Sequence, residues 1–100
     1  MKARSELKSV SITGYAMALY DNDPSDPVLI MIENQTFLPV YSTAEKLNAS
    51  MELMNIKDFT VKRITDGADF LESVGDLQVC ADPYIHNGNT RFTLVMRKHG

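Results

Sequence analysis

The stretch from Phe37 to Met54 restricts the fold most. Phe37-Leu38-Pro39-Val40-Tyr41 is a short β-forming run, and Ser42-Thr43-Ala44-Glu45 follows it with the spelling of a capping box. In such a box the first hydroxyl accepts from the backbone three residues on while the glutamate reaches back. Behind it Ala44, Leu47, Met51 and Met54 recur at helical spacing, with Lys46, Asn48 and Glu52 pointing elsewhere. The pattern predicts an amphipathic helix begun by Ser42 that must bury one face. Phe59 to Ile64 then alternates in β-forming residues. Residues 37–64 thus read as strand, helix, strand, the right length for one βαβ crossover with a parallel pair.

The remaining elements arrange themselves around that unit. Ser9 to Tyr20 reads as one long strand bent at Gly14, and Asp21 to Pro27, with two prolines and three acids, as a loop. Val28 to Ile32 is short, apolar and rich in branched side chains, which predicts a strand covered on both faces at the sheet centre. Glu33 to Thr36 is a polar turn, and Pro39 removes a ladder donor, which favours an edge or irregular place for its strand. Asp66 caps a second helix carrying Ala68, Phe70, Leu71 and Val74, ended by Gly75. Leu77 to Ala81 and Arg91 to Arg97 form a C-terminal hairpin with its turn near Asn87-Gly88 after a loop from Asp82. The expected fold is α+β: one domain over 1–100 with two helices and a mixed sheet of five to six strands.

Composition narrows the classes of function. Scaling relations let a 100-residue chain bury about 65% of its unfolded surface, so no metal or disulfide staple is required. Ten basic against 13 acidic residues give a net charge of -3 and a pI near 5.2, the wrong sign for gripping phosphate backbones, so no nucleic-acid partner is expected. The longest apolar run, Val28 to Ile32, falls far short of the roughly 20 residues of a membrane-spanning helix. Residues 1–9 lead into polar Ser9, Ser11 and Thr13 rather than an apolar signal core, and a lone Cys80 suits a reducing compartment. A cytoplasmic protein without a membrane partner is the expectation.

Leu38-Pro39-Val40-Tyr41-Ser42-Thr43-Ala44-Glu45-Lys46-Leu47 resembles the strand-to-helix transition of the SseB family's N-terminal domain, which runs Pro-Val-Phe-Thr-Ser-Glu into a helix. In that family a second helix leads to a strand ending in Asn-Pro; here Asp66 to Val74 matches the helix, while Asp82-Pro83 stands in place of Asn-Pro. The resemblance spans roughly residues 28 to 95 as an order of elements and about ten as a motif. It implies a small mixed-sheet domain linked to secretion-related regulation or protein contacts, and no catalytic residues.

Reactive constellations are sparse. Cys80, Asp82 and His86 lie within seven residues, yet a strand thiol and a loop imidazole six residues on are poorly placed to meet, and His99 is the only other histidine. Cys80 therefore reads as a half-buried, inert side chain. Asp21, Asp23 and Asp26 lack the glycine and glutamate of a calcium loop, and no glycine-rich phosphate cradle or nucleophile elbow is present. No metal and no cofactor are expected. Between Arg63 and Arg91 no basic residue occurs, while Asp66, Asp69, Glu72, Asp76 and Asp82 do. That interval would attract a basic partner, or simply be solvated. Leu53, opposite the helix's buried face, is a further contact candidate.

The expectation is a non-enzymatic protein-binding or regulatory domain working through its surface, with another protein or a second copy as partner. Two alternatives stand beside it. One is an immunity or antitoxin-like protein that neutralises a basic enzyme through the acidic interval. The other is a small-molecule binder or enzyme using Cys80, His86 and Arg91.

Overall fold

A computed structural model describes residues 2–8, 11–86 and 89–95. The chain runs β1 (Lys2–Lys8), β2 (Ala16–Tyr20), β3 (Asp23–Pro27), β4 (Ile30–Ile32), β5 (Gln35–Val40), α1 (Ala44–Leu53), β6 (Phe59–Arg63), α2 (Gly67–Ser73), β7 (Gln78–His86) and β8 (Asn89–Val95). It is α+β with two helices, as the patterning predicts. The strands form a mixed five-stranded sheet, β1-β8-β7-β5-β4, and a separate three-stranded sheet, β3-β2-β6.

The expected crossover closes on a different strand. β6 does not join β5; it pairs antiparallel with β2, placing Ala18 opposite Val61. The parallel partner of β5 is β7, Leu38 beside Val79 and Val40 beside Ala81. The connection thus carries α1, β6 and α2 across before returning to the sheet. Alternating residues say which face a strand buries, not which neighbour its backbone pairs with.

Four further expectations are corrected. The long strand over 9–20 is broken: Gly14 has φ +88°, and regular pairing starts at Ala16. The loop expected over 21–27 contains β3, an edge strand whose prolines are tolerated there. Of Val28 to Ile32 only Ile30–Ile32 is a strand, β4, and it lies at the sheet edge; Val28 before it is buried, but Met31 is 71% exposed. Pro39 lies in β5, an inner strand of the sheet rather than an edge, although at Pro39 itself only β7 is paired. The N–H of Tyr41, two residues on, donates to Ala16 on the flank away from β7. Pro39 faces that same flank, where β4 pairs only as far as Phe37, so its missing donor costs no ladder bond.

The hairpin of β7 and β8 is present, but β7 continues through the segment expected as a loop; its turn at Asn87-Gly88 lies outside the described residues. β1, parallel to β8, was not legible, because Lys-Ala-Arg-Ser-Glu-Leu-Lys lacks a strand pattern and reads as a charged edge.

Alternation along β5 and β7 builds the core. Leu38, Val40, Val79 and Ala81 face one side with Ile12, Met17 and Ile64, where Phe70, Leu71 and Val74 of α2 pack. Phe37 and Cys80 face the other, with Ile32, Phe92 and Leu94. Helix α1 buries Leu47 and Met51 against Tyr41, Ala16, Ala18 and Val28.

Candidate functional site: a groove between the first helix and an edge strand

Helix α1 begins one residue later than the capping-box pattern predicts. Thr43 is its cap, and its hydroxyl accepts from the Lys46 N–H at 3.2 Å. Ser42 is engaged elsewhere. Its backbone N–H donates to Asp82 Oδ1 and its hydroxyl to Oδ2, both at 2.8 Å, and Lys46 Nζ reaches the same Oδ2 at 3.4 Å. Asp82 lies at φ +49° inside a bulge, where β7 advances three residues from Ala81 to Tyr84 while β8 advances two. The extra residue turns the carboxylate toward the start of α1. Strand and helix are thereby tied across 40 positions of sequence by two hydrogen bonds and an ion pair.

Beside that tie a groove of about 360 Å³ opens between α1 and β4. Ile30 and Ile32, with Met31 between them, line it on the strand side and Ala49, Leu53 and Met54 on the helix side, with Pro83 and Tyr84 from the bulge at its end. Among the described residues Lys46 and Asp82 are the charged ones that line it, and they face each other. Ser50 contributes a hydroxyl that accepts at 2.7 Å from the buried Tyr41. Leu53 on the helix wall is 66% exposed, a large apolar side chain that would gain from burial; Met31 and Tyr84, 71% and 51% exposed, alternate with residues of the groove side.

The residues singled out in the sequence are placed as follows. Asp66 caps α2, accepting from the N–H groups of Ala68 and Asp69, while Asp69, Glu72 and Asp76 are exposed. Asp82 is engaged by Ser42 and Lys46. Cys80 is fully buried among Ile32, Phe37, Phe92 and Leu94, and burial pushes its thiol up to about 12. A thiol so held is no nucleophile at neutral pH. Arg91 alternates with Phe92 and therefore points to the opposite side of β8 from the Cys80 cluster; His86 pairs with Asn89 in the ladder. Among the described residues no three His, Cys, Asp or Glu side chains gather to hold a metal.

Leu53 and Asp82 are the groove residues read as contact candidates from sequence. Met31 was missed because its run looked like a covered central strand, and Tyr84 because the bulge has no sequence signal beyond Asp82-Pro83. Comparison with protein-family models, with curated proteins and with solved structures gives no match. No helix among the described residues is long and apolar enough to cross a membrane.

Proposed function

We propose that the chain is a non-enzymatic contact module whose working surface is the groove between α1 and β4. The observation that carries this reading is a groove of about 360 Å³ whose lining is mostly apolar, with Ile30 and Ile32 on one side and Ala49, Met54 and the exposed Leu53 on the other. Burying such side chains contributes about 25 cal/mol per Å² of apolar surface, so a partner seated there gains affinity without any reactive group. The sealed Cys80 and the tied Asp82 supply no competing chemistry. The short likeness of Leu38 to Leu47 to the SseB pattern supports the same class of function, and the lone, buried thiol suits a reducing, cytoplasmic setting.

Photo-crosslinking in the producing cell tests the proposal. A photoreactive residue at Leu53 or Met31 should yield a discrete adduct. The same residue at Val61, an exposed apolar side chain on β6, should yield none. Equal adducts at Val61, or none at Leu53 and Met31, would reject the groove as the working surface.

A further inference from the structure

We infer that the groove takes an extended, uncharged peptide segment of another protein, added as a strand to the outer edge of β4 with alternate apolar side chains lying under Leu53. This rests on the contact reading above and specifies the form of the partner.

The argument begins in the hairpin of β4 and β5. Glu33 and Asn34 both have positive φ, 50° and 67°, the backbone of a two-residue type I′ turn. Ile32 and Gln35 flank that turn and exchange hydrogen bonds, as do Ile30 and Phe37 two steps on; Met31 and Thr36 form the non-bonded pair between them. The N–H and C=O of Met31 therefore point away from β5. β4 is last in its sheet, so no strand among the described residues occupies that side.

The edge and the groove belong to the same strand, since Ile30 and Ile32, which flank Met31, line the groove together with Leu53 and Met54 of α1. An extended segment there bonds through its main chain and inserts every second side chain between strand and helix. The groove's two charged residues neutralise each other 3.4 Å apart, which favours uncharged side chains. Its size sets the length: three edge residues span about 10 Å, and 360 Å³ lies near the small end of ligand pockets, so a segment of a few residues fills it. A second copy is a poorer occupant, because two concave patches apposed across a twofold axis leave both grooves hollow.

The test titrates the isotope-labelled chain with capped peptides alternating threonine with valine, isoleucine, leucine or phenylalanine. The binding members should shift the methyl signals of Met31, Leu53 and Met54 and slow hydrogen exchange of the Met31 amide. Met31→Pro removes an outward-facing donor at no cost to the ladder, and Met31→Ala controls for the lost side chain. Met31→Pro should bind about tenfold more weakly than Met31→Ala, the value of one main-chain hydrogen bond. Equal binding by the two variants, or undiminished binding of backbone N-methylated peptides, would overturn strand addition while leaving the groove as a contact surface. Absence of any shift across the peptide set, or groove shifts that follow protein concentration without peptide, would overturn the inference as well. The crosslinking outcome at Leu53 is independent of all these results.

Discussion

Asp82 joins the two halves of the groove, because one carboxylate holds both the start of α1 and the bulge that presents Tyr84. Asp82→Ala leaves the Ser42 donors to find new partners and should lower stability by about 1 to 3 kcal/mol in urea unfolding, with Asp82→Asn losing less. Cys80 and Tyr41 carry a second consequence. Burial raises the thiol from 9.0 to about 12 and the phenol from 10.0 to about 12. The folded state thus holds both protons more tightly than the unfolded one, so this stability is complete below pH 9 and drains away as pH rises toward 12. Urea midpoints should fall across that window, and Cys80→Ala should flatten the decline; an unchanged slope would place the thiol in water. Of these residues, Cys80's burial was legible from its apolar surroundings. Asp82's role was not, since its partners lie 40 positions away and only the fold brings them together.

At the scale of elements, helix ends were the most readable parts and strand partners the least. Asp66 and Gly75 bound α2 as their residue types predict, with Gly75 at φ +63°. Helix α1 ends in a Schellman turn: Asn55 has φ 57°, and the N–H of Ile56 donates to the Met51 carbonyl at 2.9 Å. Asn55→Gly relieves the left-handed backbone and should raise stability by up to about 1 kcal/mol, whereas Asn55→Ala should lower it; thermal melts decide between these signs. At the start of α2, a β-carbon on Gly67 would lie 3.0 Å from the Thr13 backbone nitrogen and from an Ile12 side-chain carbon. Gly67→Ala should therefore cost about 1 to 3 kcal/mol, although alanine is the better helix former. The assignment of Val28 to Ile32 to the sheet centre failed for a physical reason. A run apolar on both sides describes a doubly covered strand and equally an edge strand whose outward side chains wait for a partner.

For the whole molecule, residue types and helical periodicity establish the α+β class, because a capped amphipathic helix between β-forming runs has few other homes. They do not establish that the strands divide between two sheets, nor that β6 leaves the sheet that β5 and β7 share. The groove exists because of that division, which sets α1 beside a short, exposed edge. The methionines offer a direct test of whether this concavity is where the molecule acts. Met31 and Met54 line the groove, while Met17 and Met51 are buried in the core. With the methyl groups of these four labelled, addition of a bound partner recovered by crosslinking at Leu53 should move the Met31 and Met54 signals and leave Met17 and Met51 in place. Shifts confined to Met17 and Met51, or silence at Met31 and Met54 under saturating partner, would contradict the account.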